Sequence, residues 1–149
     1  MTVAPFLLSF IVSLAIFTSF FSHSEEYAVI SLNHDLKPFN SAQAKMLFRG
    51  NITSINGNKT KLADLPSGSK IRHKFYSSLL NKSPSQMQSI WAKQSFSGRA
   101  TAPYELHTTE IKTVINWLKI TPTGVAYYPV SLLPNNVKIL YKIKIKEEL

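Results

Sequence analysis

The chain has 149 residues, 44% of them hydrophobic and 17% charged, the composition of one globular domain and not of a disordered tail or a repeat array. Seventeen Lys and Arg against eight Asp and Glu give a formal charge of +9. The absence of cysteine excludes disulfide scaffolds, thiolate zinc sites, iron–sulfur clusters and cysteine nucleophiles together.

No charged residue occurs between Val3 and Phe21, and Phe6–Phe21 reads FLLSFIVSLAIFTSFF. An apolar run of about 16 residues suits a signal-peptide core and falls short of the roughly 20 that a transmembrane helix needs. Ser22 and Ser24 then stand before Glu25, as the small residues at a cleavage site do. Residues 1–24 are therefore expected to be a signal peptide, with an uncleaved anchor and a buried core helix as the alternatives. Residues 25–149 are expected to form one domain, periplasmic or secreted, touching a membrane only through that leader.

Tyr27–Leu32 is a nearly continuous apolar run of strand length, the pattern of a strand covered on both faces as in parallel sheets. Asn40 or Ser41 caps a short helix carrying Ala44, Leu47 and Phe48, and Gly50 ends it. Asn56-Gly57 signals a turn, and Lys61–Leu65 reads as a weak strand running into Pro66. Three helices follow. The first, from about Lys70, carries Ile71, Phe75 and Leu79; the second opens on the capping box Ser83-Pro84-Ser85-Gln86 and carries Met87, Ile90 and Trp91. The third carries Ile111, Val114, Ile115 and Leu118. A short strand is expected at Val125–Tyr128. Val137, Ile139, Tyr141, Ile143 and Ile145 then alternate with a mostly lysine face, predicting a last strand. This order, β, α, β, α, α, α, β, β, points to a three-layer α/β domain with a mixed sheet.

Enzyme signatures are scarce: there is no Gly-x-Ser-x-Gly, no His-Glu-x-x-His, no Walker loop and no Gly-x-Gly-x-x-Gly. His34-Asp35, His73 and His107 read as turn, surface and loop residues, so no catalytic residue, metal site or cofactor is expected. The aromatics Phe48, Phe75, Trp91 and Trp117 sit on apolar stripes and read as core, so nucleic acid is not an expected partner despite the charge. The most informative segment is Asp64-Leu65-Pro66-Ser67-Gly68-Ser69, between a strand and a helix. A helix N-terminus offers unpaired N–H groups and the positive end of the dipole, glycine lets an anion approach, and serines add donors. Ser67, Gly68 and Ser69 are thus candidate anion ligands. Ser31 and Asn33 are expected to converge on them, with Arg72 and Arg99 as counter-charges. A plain turn and cap is the alternative reading of the same residues.

Phe48-Arg49-Gly50, Leu65-Pro66-Ser67-Gly68-Ser69 with Arg72 and Phe75-Tyr76, and Lys82-Ser83-Pro84 leading to Trp91 form an ordered set. With Phe96-Ser97-Gly98-Arg99 and Gly124-Val125-Ala126-Tyr127, the run from Tyr27 to Tyr128 resembles short periplasmic-binding-protein-like domains of the phosphate transporter substrate-binding family. The resemblance implies a type 2 binding-protein fold, an extracytoplasmic location, no catalysis and a small anion such as phosphate as ligand. Phosphate-binding relatives carry Arg-x-x-x-Ser-Gly-Thr. Aligning Ser67-Gly68-Ser69 on it puts Ala63 at the arginine, and aligning Gly68-Ser69 with Phe75 puts Leu65 there, so the arginine is missing in both registers. Roughly 125 residues after the leader make about one of the two lobes that close over a ligand in that family. A lobe that has lost its ligand and binds an envelope protein is the alternative function.

Overall fold

The computed structural model describes residues 24–145. The expected leader, apart from Ser24, thus lies outside the described residues. No helix among the described residues is long and apolar enough to cross a membrane.

Five strands make one mixed sheet: β1 (Glu26–Ser31), β4 (Lys61–Asp64), β5 (Tyr104–Glu105), β6 (Gly124–Pro129) and β7 (Lys138–Lys144), in the order β5-β4-β6-β1-β7. A separate hairpin, β2 (Ser54–Ile55) with β3 (Asn58–Lys59), closes on Asn56-Gly57, both at positive φ as such a tight turn requires. Four helices complete the fold: α1 (Ser41–Phe48), α2 (Lys70–Leu80), α3 (Pro84–Phe96) and α4 (Ile111–Ile120).

β1 is central and buried along its length, as its apolar run demands. Its neighbours, however, are antiparallel on both sides, β6 and β7, while the parallel pairs are β4 with β5 and β4 with β6. Burial on both faces dictates the composition of a strand and leaves its direction open.

β6 shows how the layers form. Tyr127 stacks on Phe75 of α2 with ring centroids 3.7 Å apart and 3° between the planes, and meets Phe48 of α1 edge-on. The next residue, Tyr128, sends its hydroxyl to the Thr109 carbonyl at 2.6 Å, just ahead of α4. Successive strand residues point to opposite faces, so α1 and α2 cover one side of the sheet and α4 the other. Gly124 lies under α4, where a Cβ would stand 2.8 Å from both the Thr121 carbonyl oxygen and the Trp117 ring.

The caps follow the sequence closely. Asn40 and Ser83 each close a capping box, Pro84 occupies the first turn of α3, and Gly50 ends the α1 region at φ +70. Two stripes widen beyond their predicted positions. α2 buries Tyr76 and Leu80 beside Phe75 and Leu79. α4 buries Val114, Trp117 and Leu118, with Ile111 and Ile115 only partly covered. In β7 the predicted alternation breaks, because the register with β1 shifts between Val29 and Ile30. Leu140 is consequently buried and Ile139 only partly so, whereas Ile143 and Ile145 keep their expected burial. An irregularity of this kind re-aims side chains.

Val114 is wholly buried between α4 and the sheet, so Val114→Asp places an unpaired charge in the core. A loss of about 3 kcal/mol or more is expected in denaturant unfolding. A loss below about 1 kcal/mol would show that α4 does not use this face.

Candidate functional site

α2 begins where β4 ends, and Leu65-Pro66 turns the chain between them. Ser69 is the N-cap: its Oγ accepts from the Arg72 amide at 3.1 Å, and its own N–H donates to the Pro66 carbonyl at 2.8 Å. This arrangement leaves the N–H groups of Lys70 and Ile71 unpartnered among the described residues. Ser67 and Gly68 are exposed beside them, and a Cβ added at Gly68 would meet nothing within 4 Å. Ser67 and Arg72 line a cleft of about 720 Å³ whose other walls include Ser85 and Gln88 of α3 and Pro103 and Glu105 near β5.

Beneath this turn lies Asp64, the last residue of β4 and 3% exposed. Its Oδ2 accepts from the Tyr76 hydroxyl at 2.9 Å, and its Oδ1 accepts from the Tyr127 hydroxyl. Arg72 Nε stands 3.4 Å from Oδ2, while Arg72 Nη1 donates to the Leu65 carbonyl at 2.8 Å and to Glu105 at 2.9 Å. Burial dominates the electrostatics, raising the Asp64 carboxyl from 3.8 to about 6 against the opposing pull of Arg72 and the two tyrosine hydroxyls. Tyr76 and Tyr127 are pushed well above 10, first by burial and then by the neighbouring carboxylate.

The structure separates the sequence-derived candidates into three groups. Ser67, Gly68 and Ser69 sit together at the start of α2, with Arg72 one turn on. Ser31 and Asn33 do not join them. Ser31 is buried and donates to the Gly124 carbonyl at 2.7 Å, and Gly124 pairs with Lys61, the first residue of β4. The serine loop follows the last residue of β4, so roughly 10 Å of strand stands between the two. The expected convergence required β1 to run parallel to β4, and β1 runs the other way. Ser31 Oγ and Asn33 Oδ1 instead accept from the Asn33 and Asp35 amides, organising their own turn. Arg99 is exposed and lines an adjoining cleft beside Lys59–Leu62, apart from the wall that Arg72 forms. Arg72 itself is held by two carboxylates and is not a free counter-charge. Asp64, Tyr76 and Tyr127 are not among the candidates the sequence offers. Asp64 and Tyr127 are 63 positions apart, and no local pattern announces their contact.

Neither a family model nor a curated protein matches the chain. Solved structures do. Over 78% of this chain, the fold is similar to that of a protein from Clostridium perfringens assigned as a phosphate ABC transporter substrate-binding protein with bound phosphate, with TM-score 0.58 and 15% identity. An ABC-type phosphate transport receptor from Vibrio cholerae matches the same share of the chain with TM-score 0.57 and 12% identity. The chain has the periplasmic-binding-protein fold and spans 44% and 45% of those two structures.

The raised Asp64 carboxyl makes a signed prediction. Between about pH 4 and pH 6 the unfolded chain has released this proton while the folded chain keeps it. Asp64's contribution to stability is then fully present below about pH 4 and is lost as the pH rises through about 6. Wild type should lose stability relative to Asp64→Asn across this window, by up to about 1.4 kcal/mol per pH unit, in parallel urea titrations. Parallel pH profiles for the two proteins would show that Asp64 titrates normally.

Proposed function

We propose that the chain is an extracytoplasmic, non-enzymatic solute-binding-like lobe that takes a small tetrahedral oxyanion such as phosphate at the start of α2. The observation that carries this reading is the start of α2 itself: the Lys70 and Ile71 amides have no partner among the described residues, and Ser67, just ahead of them, is exposed and lines the cleft. Aligned amides and the positive dipole end favour an anion there, and the exposed hydroxyl of Ser67 adds a donor. The likeness in fold to phosphate-binding proteins supports the same ligand class. Arg72 spends its charge on Asp64 and Glu105, so the amides supply most of the attraction. A site open to water on one side holds fixed dipoles in a high dielectric, and an affinity in the micromolar to millimolar range is expected, about −4 to −8 kcal/mol.

A second reading, an interaction lobe for an envelope protein, draws on Phe96 and Ile120, large apolar side chains 97% and 81% exposed at the ends of α3 and α4. Thermal melts in phosphate separate the two, because a ligand that binds only the folded state raises its stability.

Titrating phosphate while following backbone amides should move resonances at 67–71 first, and Ser67→Ala should weaken the response. Shifts spread over Lys142 and Lys144 instead would indicate general attraction to a basic strand. Sulfate, whose charge is constant in this range, should bind more tightly below about pH 6, where Asp64 takes up its proton and Arg72 regains charge for the cleft. An affinity independent of pH would separate Arg72 from the anion site.

A further inference from the structure

A larger concavity of about 1060 Å³ adjoins the first, sharing Trp91, Ser95, Ala102, Pro103 and Glu105 with it, and extends against the N-terminal half of β4 without reaching Ser67 or Arg72. β5 pairs with β4 only at Ala63 and Asp64, so Lys61 and Leu62 continue past it and the loop through Thr101 forms the opposite wall. Leu47, Ile52 and Trp91 contribute apolar lining. Tyr104 stacks on Trp117 with centroids 6.2 Å apart and 15° between planes, yet remains 60% exposed. Trp117 is buried and cannot follow a moving partner, so Tyr104 presents an aromatic surface whose position is set before any ligand arrives.

The charge around this cleft is one-sided. Lys59, Lys61 and Arg99 line it, all three are exposed, and none forms an ion pair with a described carboxylate. Glu105, the acid in its lining, is held by Arg72. Low-dielectric walls with cations of one sign focus the field on an anion. Thr53, Thr101 and Thr121 add hydroxyls. The volume falls in the size class of sites that enclose small organic ligands, and apolar lining with a few polar groups is their usual make-up.

We propose that this cleft binds an acidic saccharide, a sugar ring bearing a carboxylate, at a site separate from the start of α2. A sugar offers an apolar C–H face to Tyr104, hydroxyls to the threonines and a carboxylate to Lys59, Lys61 and Arg99. A single-stranded nucleic acid needs a succession of aromatic platforms, and the cleft exposes one. An acidic peptide added as a strand needs a continuous edge to pair with, and the edge here is broken into Lys61–Leu62 of β4 and the two residues of β5.

Both tryptophans line this cleft, but Trp91 also lines the cleft at the start of α2, so the fluorescence of Trp117 in a Trp91→Phe background reports on this site alone. The full chain is titrated with a galacturonic acid oligomer, with a neutral galactose oligomer, polyglutamate and an oligodeoxythymidylate as comparisons. The acidic sugar should bind most tightly. Tyr104→Ala should weaken it about five- to tenfold without lowering the melting temperature. Lys59→Ala with Lys61→Ala should weaken it further and flatten its salt dependence. Ser67→Ala and excess phosphate should leave it unchanged, which keeps this site distinct from the anion site at α2. Absence of binding, tighter binding of polyglutamate or the oligonucleotide, equal binding of the neutral sugar, indifference to Tyr104→Ala or full competition by phosphate would each overturn the proposal.

Discussion

A buried carboxylate at the end of β4 sets the geometry around which this fold is built. Asp64 accepts from Tyr76 of α2 and Tyr127 of β6, and it faces Arg72, which in turn reaches Leu65 and Glu105. One side chain thereby ties β4, α2, β6 and β5 to a common point. An ionised group in such a place is tolerable only when donors surround it, and removing any one of them exposes the cost of the burial. The upward shift of Asp64 shows that the donors here offset that cost incompletely. What the arrangement secures is position: the first turn of α2 cannot slide along the sheet without breaking three polar contacts at once.

That fixed turn rests on a block of aromatic rings. Phe48, Phe75, Tyr76 and Tyr127 meet one another face to face or edge to face, with centroids between 3.7 and 6.3 Å. Such pairings contribute beyond the area they bury. The polar and apolar layers are consecutive, because the rings of Tyr76 and Tyr127 belong to the block while their hydroxyls belong to Asp64. The chemistry at the surface follows from this depth of support. Arg72 is consumed in holding the turn, which leaves the exposed Ser67 hydroxyl and the unpartnered amides of Lys70 and Ile71 at the start of α2.

The local grammar of the fold was legible in the sequence. Asn40, Gly50, Ser83-Pro84 and Asn56-Gly57 each act through their own neighbours, and the structure uses them where the sequence places them. The Ser67-Gly68-Ser69 turn before α2 was legible for the same reason. Strand direction was not: the apolar run of β1 suits any central strand, and only the antiparallel pairing with β6 moves Ser31 away from the α2 turn. The side-chain phase of β7 depends on a register shift against β1, which no property of β7 alone encodes. The Asp64 network was invisible because its members lie 8, 12, 41 and 63 positions from Asp64 along the chain, brought together by sheet order and not by spacing.

The claim on which the functional account turns is that the start of α2 is a preformed oxyanion cradle. A crystal of the chain soaked in selenate well above the expected millimolar limit tests it directly, since the anomalous signal of selenium locates the bound anion. The account predicts selenate within hydrogen-bonding distance of the Lys70 and Ile71 amides and the Ser67 hydroxyl. Selenate found only over Lys142 and Lys144, with the start of α2 empty, would contradict it.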